Sequence, residues 1–553
     1  MKGQTAITNI LKAEGVKWVT CYPDGGTADS LIEACADAGI RTIQPRSERV
    51  VVNIADGFTR VTNGRPNGVA IIGGGQTAGV AFSGISQAFS DNVPVLILGG
   101  APVRDRVGQR GTQDYDPIHT YLKVTKWVET ISYAYRVPEL MRRAFTYLRN
   151  GRSSPVVLVL PHDVTPEEFP DDRFSYTPVP RWTTPSNQHD VEVAVRALLN
   201  AKNPLIYAGE GTLYAEAWDE LREFAELLQV PVMTTMKGKS VFPENHPLSV
   251  GHGGRTGPQA AAHFLDKADL AFCIGASLQR GAGAEISGKV IIQVDVDEHY
   301  INRIYASDYV IIGDAKLVLR QTIDEVKKQT NNRGRKNEAV VKEIAKVKKE
   351  FLKEWMPLLT SKEVPINPLR VYWDLMHAVD VKNTIITHEP GSARNHLCPF
   401  WEAVTPRGYL GWGGHSGLGS SMGLTMGAKL ARPECLAIQV TGDGAFGYTG
   451  LDFETSVREK IPILTIVNNN LSISGGVRLS GNYADVAEAL GGYGERVEKP
   501  DEIIPAIKRA KKSVDSGRSA LLEMICRPPR RTENMSRYWP NLRSAQAPPP
   551  VNV

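Results

Sequence analysis

Cysteine is scarce in this chain and is not arranged for chemistry. The 553 residues hold six cysteines, Cys21, Cys35, Cys273, Cys398, Cys435 and Cys526, with no CxxC spacing among them. That scatter argues against a zinc site or a disulfide framework, and small core residues in a reducing compartment are expected. Long apolar runs are missing too: no segment has the unbroken length of a membrane span. Met1 to Ile7 lacks the apolar core of a signal peptide and reads as the start of a helix, so a cytoplasmic protein without a membrane partner is expected. Neither sign of charge dominates. The 64 basic and 60 acidic side chains leave a net charge of +4, which argues against a general nucleic-acid binder. No short tandem repeat occurs.

What is present fits a large α/β protein. Hydrophobic residues make up 42%, enough for several cores, and the length predicts three domains. From Thr5 to Leu160 short apolar runs (Val16 to Cys21, Thr42 to Gln44, Val69 to Ile72, Val93 to Leu98, Val156 to Leu160) alternate with helix-like segments. A Pro- and Asp-rich linker follows to His189. A second block repeats the alternation, with strands at Pro204 to Ala208, Pro231 to Thr234, Leu270 to Ile274 and Val290 to Val296. Lys327 to Trp355 reads as a solvated connecting helix. A third block opens near Pro365 and ends with the strand Ala520 to Ile525. The pattern predicts three doubly wound parallel sheets, in domains 1–165, 190–325 and 365–527. The tail 528–553, rich in Arg and Pro, is either disordered or a lid that offers arginines to a phosphate.

One stretch carries chemistry. The apolar run Leu436 to Val440 ends in Gly442-Asp443-Gly444, a helix-like segment follows, and the run Ile461 to Val467 ends in Asn468-Asn469-Asn470. A strand–helix–strand crossover places both strand ends on one edge of a parallel sheet, the edge where such sheets bind ligands. A carboxylate and an amide oxygen there suit Mg²⁺, which takes its remaining ligands from phosphate and water. The glycines let backbone N–H groups approach a diphosphate. Glu48, at a strand end ahead of a helix, is on position alone either a helix-dipole charge or a functional acid. The turns after Gly275 and Asp295 are candidate nucleotide sites.

With these residues in view, the chain resembles the thiamine-diphosphate superfamily of acetolactate synthase, pyruvate decarboxylase and 2-hydroxyacyl-CoA lyase, over essentially its whole length. The specific part is Gly442-Asp443-Gly444 with Asn470 placed 27 positions after the aspartate. The resemblance implies that Asp443, Asn470 and the carbonyl of Ser472 hold Mg²⁺, and that Gly444 and Ala445 donate N–H groups to the diphosphate. Glu389 to Ser392 looks like the loop that contacts the same diphosphate, through Gly391 and Ser392. Met422 matches the large apolar residue that bends the cofactor, with the Ser420 carbonyl accepting from its aminopyrimidine. Arg46-Ser47-Glu48 and Ala55 to Arg60 resemble the segment in which Glu48 protonates the pyrimidine, so that the cofactor's own nitrogen removes the weakly acidic thiazolium proton. Glu48 and Asp443 then act from different chains, in a homodimer or homotetramer. Gln113 matches a synthase loop, and His415 is the best placed of the histidines for a proton relay. The implied function is an acetolactate synthase-like decarboxylation and carboligation of a 2-oxo acid. The alternatives are a 2-hydroxyacyl-CoA lyase or oxalyl-CoA decarboxylase acting on an acyl-CoA, or a cofactor-binding regulatory paralogue. A nucleotide (ADP, FAD or CoA) is expected in the central domain. The segment after Asn470 is shorter than in the synthases, so the substrate pocket is expected to be built differently.

Overall fold

The computed structural model describes residues 1–279, 283–413, 417–473 and 477–540. Its strands gather into three six-stranded parallel sheets. The first contains β1 (Trp18–Cys21), β2 (Arg41–Ile43), β3 (Val69–Ile72), β4 (Leu96–Ala101), β5 (Trp127–Thr130) and β6 (Val156–Pro161), in the order β2-β1-β3-β4-β6-β5. The second contains β7 (Pro204–Ala208), β8 (Val232–Thr234), β9 (Ser249–His252), β10 (Leu270–Ile274), β11 (Val290–Asp295) and β12 (Tyr309–Ile312), in the order β12-β11-β10-β7-β8-β9. The third contains β13 (Thr384–His388), β14 (Tyr409–Leu410), β15 (Leu436–Gly442) and β16 (Leu464–Asn469). A two-stranded hairpin, β17 (Ser472–Ile473) and β18 (Val477–Arg478), intervenes before β19 (Tyr493–Val497) and β20 (Ala520–Ile525) complete that sheet as β14-β13-β15-β16-β20-β19.

Two features of this order position the site. The first and third sheets have the same strand sequence, so each has its order reversal between its first and third strands, β1/β3 and β13/β15. The middle sheet, read from β9, runs third-second-first-fourth-fifth-sixth, the order of dinucleotide-binding sheets, with its reversal between β7 and β10. Ligands of open α/β sheets sit at those reversals, outside the carboxyl ends.

The outer sheets are joined through two helices, Glu48–Thr62 and Ser421–Ala431, which touch at backbone distance. A Cβ on Gly57 would lie 2.2 Å from the Leu424 carbonyl oxygen, and one on Gly427 would lie 2.1 Å from that of Ile54. Only glycine permits this approach. An apolar cluster containing Val50, Ile54, Met422, Met426 and Phe446 fills the space beside it. All six cysteines are buried and unpaired, as their scatter predicts.

One expectation is corrected. The connecting helix, Glu338–Leu359, is not simply solvated: Val340, Ile344, Val347, Phe351, Trp355 and Leu359 form a buried stripe at helical spacing. The tail through Pro540 is packed along that helix rather than loose. Trp355 donates its indole N–H to the Tyr538 hydroxyl at 3.0 Å, and the Trp539 N–H reaches the Gly257 carbonyl at 3.0 Å. Three arginines of its described part pair with carboxylates: Arg527 with Glu363 (2.8 Å) and Glu533, Arg530 with Glu363 (3.1 Å), and Arg537 with Glu354.

Candidate active site

The third sheet brings the diphosphate-end residues together. β15 and β16 are adjacent and parallel, with Gly442 level with Asn468, so the two loops leave the same edge. Asp443 begins the helix Asp443–Thr449, and its carboxylate is buried. The Ser472 N–H donates to Asp443 Oδ2 at 3.1 Å and to Asn470 Oδ1 at 3.0 Å, so the two predicted metal ligands converge on one point. Of the three asparagines the last is the one whose amide oxygen shares the Ser472 N–H with Asp443. Asn468 donates to the Tyr372 hydroxyl, and Asn469 donates to Glu523 at 2.6 Å. Burial pushes the Asp443 carboxyl upward, and the N–H groups of Gly444, Ser472, Leu471 and Asn470 pull it back. Gly442 faces open space, and Ala445 is buried behind it. A Cβ on Gly444 would fall 2.5 Å from Ile473 Cγ1, so the backbone there has room only as glycine.

Across the reversal from Asp443, β13 ends in His388 and passes into Glu389, Pro390, Gly391 and Ser392. Gly391 takes φ +88° with no atom near its Cβ position, and Ser392 starts the short helix to Leu397. Glu389 does something the motif did not announce. It is fully buried and accepts from the N–H groups of Gly419 (2.8 Å) and Ser421 (2.7 Å) and from the Ser421 hydroxyl. It therefore fixes the start of the helix that carries Met422. Ser420 lies one residue before that helix; its carbonyl accepts from Leu424 N at 3.3 Å, and its buried hydroxyl has no partner. Met422 is fully buried within the apolar cluster between the outer sheets. His415 falls outside the described residues.

The first sheet gathers the other half. Glu48 is the first residue of its helix and only 7% exposed. Burial and the nearby charge of Asp24 both raise its pKa, against a smaller pull from its own backbone N–H. A carboxyl so placed holds its proton above the usual range. Gln113 adopts a left-handed φ of +64° and donates from Nε2 to the Asp24 carbonyl at 2.9 Å. Asp24, which no motif singled out, bridges the β1/β3 reversal: its side chain accepts from Gly26 N at 2.9 Å and Gly74 N at 3.3 Å. Only its proximity to both Glu48 and Gln113 marks it.

Three family models match the chain, and each falls on one sheet. They are described as the N-terminal binding domain (residues 1–120), central domain (191–322) and C-terminal binding domain (390–524) of thiamine pyrophosphate enzymes. Together they span well over half of it. The chain belongs to the thiamine pyrophosphate enzymes. Its relatives include a probable acetolactate synthase large subunit of Methanocaldococcus jannaschii, 29% identical over 96% of this chain and 92% of the relative. The large subunit of acetolactate synthase isozyme 3 of Escherichia coli is 24% identical over 95% and 94%. A glyoxylate carboligase of Escherichia coli O157:H7 is 27% identical over 92% and 90%.

The residues fit the family's cofactor. Among the described residues no cluster of three or more His, Cys, Asp or Glu gathers to hold a metal alone. The donor set at Asp443 is one carboxylate and one amide oxygen, which suits a hard divalent ion that completes its shell with phosphate oxygens and water. No helix of the described residues is long and apolar enough to cross a membrane.

Proposed function

We propose that this chain uses thiamine diphosphate and Mg²⁺ to decarboxylate a 2-oxo acid and join the remaining unit to a second carbonyl. The observation that carries the reading is the convergence of Asp443 and Asn470 at the ends of β15 and β16, beside the β13/β15 reversal. Its relatives, named as acetolactate synthases and a glyoxylate carboligase, supply the reaction class. The cofactor would provide the electron sink that a carbonyl carbon needs on losing CO₂. Asp443, Asn470 and Ser472 would hold the metal, and Gly391, Ser392, Gly442, Gly444 and Ala445 the diphosphate. Glu48 would keep a proton against the pyrimidine, Ser420 would receive its amino group and Met422 would support its bend. Gln113, fixed through Asp24, would face the substrate. On this reading 1–165 is the pyrimidine-binding domain, 190–325 the central domain and 365–527 the diphosphate-binding domain.

Glu48 and Asp443 belong to the carboxyl edges of different sheets, and we place them in one site across a homodimer or homotetramer. Exposed apolar side chains lie beside both edges: Val80 and Phe82 after β3, and Tyr448, Leu451 and Leu471 around Asp443 and Asn470. A second copy would cover them. In the central domain a nucleotide (ADP, FAD or CoA) would bind at the β7/β10 reversal, in a cleft lined by Glu210, Gly275, Asp295, Arg152 and Arg181. The acyl-CoA lyase alternative asks the tail or the central domain for groups that grip CoA phosphates; of the tail arginines, Arg527, Arg530 and Arg537 are already paired.

The test is a substrate panel with the cofactor-loaded enzyme, followed by mass spectrometry. Pyruvate, 2-oxobutyrate and glyoxylate should give CO₂ and carboligation products. Turnover confined to oxalyl-CoA or 2-hydroxyacyl-CoAs would overturn the reading.

A further inference from the structure

A cavity of ≈ 240 Å³ lies where the end of β9, the helix Glu338–Leu359 and the first segments of the third domain meet. None of the residues assigned above to the cofactor or to the nucleotide cleft lines it. Its walls are rich in rings. Phe351 of the long helix stacks on Phe400 with ring centres 5.6 Å apart, and Trp373 and Trp401 add two indoles. Phe351, Phe400 and Trp401 are buried, and Trp373 is half-buried. The β9 side is closed by backbone: Gly251 takes φ +86°, and a Cβ there would fall 2.7 Å from Pro258 Cγ. The tail braces Phe351. The Tyr538 ring meets it edge-on with centres 5.8 Å apart, and Met535 belongs to the same apolar cluster.

One wall group is out of keeping with these rings. Lys348, half-buried on the long helix, donates from Nζ to the Glu244 carbonyl at 3.0 Å. Among the described residues no carboxylate lies within ion-pair distance of it. The two acids whose charge it feels do not match it. The Glu244 carboxylate is held by Lys239 and by the Ala403 N–H at 2.9 Å, and Glu402 stands exposed on the rim. Burial lowers the Lys348 pKa, against the opposing pull of these two glutamates. An ammonium group has three donors, so two remain beyond the carbonyl bond.

We propose that this cavity is a binding site for a small monocarboxylic acid with a single-ring body, its acid group on Lys348 and its body among Phe351, Phe400, Trp373 and Trp401. A charge-assisted bond from the amine to a carboxylate is stronger than a neutral one, and it offsets the cost of a half-buried cation without a partner. A lysine offers a compact point charge, which suits one carboxylate. The volume lies below the roughly 300–1,000 Å³ of drug-sized sites, so a nucleotide or an acyl-CoA is too large. An amine would meet the like charge of Lys348, and a polyol would find few polar partners among the rings.

The test uses three unreactive molecules that share a phenyl ring and a short chain. Phenylacetate, phenylethanol and phenethylamine are titrated by calorimetry into the enzyme loaded with thiamine diphosphate and Mg²⁺. The acid should bind at a single site per chain, at least about tenfold more tightly than the alcohol, with the amine weakest. Lys348→Met should bring the acid down to the level of the alcohol and leave the alcohol within about twofold of wild type. Trp373→Ala should weaken acid and alcohol together. Asp443→Ala, which on the proposed reading loses its cofactor, should keep its affinity for the acid within about twofold. Equal binding of acid and amine by the wild type, or an unchanged acid affinity in Lys348→Met, overturns the site. Loss of acid binding in Asp443→Ala places the acid in the cofactor pocket and overturns it too. Failure of every 2-oxo acid to turn over would sink the proposed reaction and leave this titration to decide the cavity by itself.

Discussion

At the scale of single residues, the proposed acid–base role falls to Glu48. Burial and Asp24 raise its pKa, so its folded form prefers the proton. The sign of the linkage follows: the stability this carboxyl contributes is fully present below its unfolded pKa and is lost as pH rises through the higher folded value. Glu48→Gln removes that loss. The variant should therefore gain thermal stability relative to wild type above the Glu48 pKa and show no gain at acidic pH, measured by melting curves of the cofactor-free protein. Its cofactor affinity should change little, while turnover falls by roughly 10²–10⁴-fold. Wild-type turnover in the variant would remove Glu48 from the chemistry. Asp443→Ala should instead weaken Mg²⁺-dependent cofactor binding in calorimetry by more than the roughly tenfold typical of outer-layer changes at metal sites. Glu389 predicts a different outcome. Glu389→Ala leaves the Gly419 and Ser421 N–H groups without an acceptor and should cost about 2–4 kcal/mol in urea unfolding. Asp443 and Asn470 were legible because one local crossover fixes both. Asp24 and the work of Glu389 were not, because they depend on segments about 30 to 90 residues away meeting in space.

At the scale of elements, the interior strands were legible and the edges were not. β3, β7, β10 and β20 coincide with their predicted bounds, each a largely apolar run buried on both faces. β5, β9, β12, β14 and β19 had no expectation attached, and every one of them is an edge strand. An edge pairs on one side only and tolerates charge and short length, so its pattern fades: β19 reads Tyr-Gly-Glu-Arg-Val and is mostly half-buried. The contact between the Glu48 helix and the Ser421–Ala431 helix was equally hidden, since glycine in a helix normally reads only as weak propensity. It makes a sharp prediction. Gly57→Ala must push against the Leu424 backbone and should destabilise by about 1–3 kcal/mol or more. Gly79→Ala, in a helix with no atom near its Cβ position, should be neutral or stabilise by up to about 1 kcal/mol. Chemical denaturation of the two variants under one set of conditions compares them directly.

At the scale of the whole molecule, the three-block order was legible from the alternation of strands and helices, but the assembly was not. Within one chain the outer sheets share a strand order, and on the proposed reading the edge of each carries half of a site. The chain already uses the flank of the Glu48 helix for internal packing, through Gly57 and Gly427, and ties the β2 loop to its own third domain through Arg46 N to Asp452 at 2.7 Å. The exposed Tyr448, Leu451 and Leu471 are the surface that the proposed second copy would cover in a two-fold pair. The arrangement can be tested with two inactive chains. If each site takes Glu48 from one chain and Asp443 from the other, an equal mixture of Glu48→Gln and Asp443→Ala, unfolded and refolded together, forms hybrid dimers. In each hybrid one site carries both substitutions and the other carries neither. Random pairing then restores about a quarter of the wild-type sites. The mixture should regain activity near that fraction, with the concentration dependence of an assembling pair, while each variant alone stays inactive. Should both residues serve one chain's own site, no mixing ratio would restore turnover.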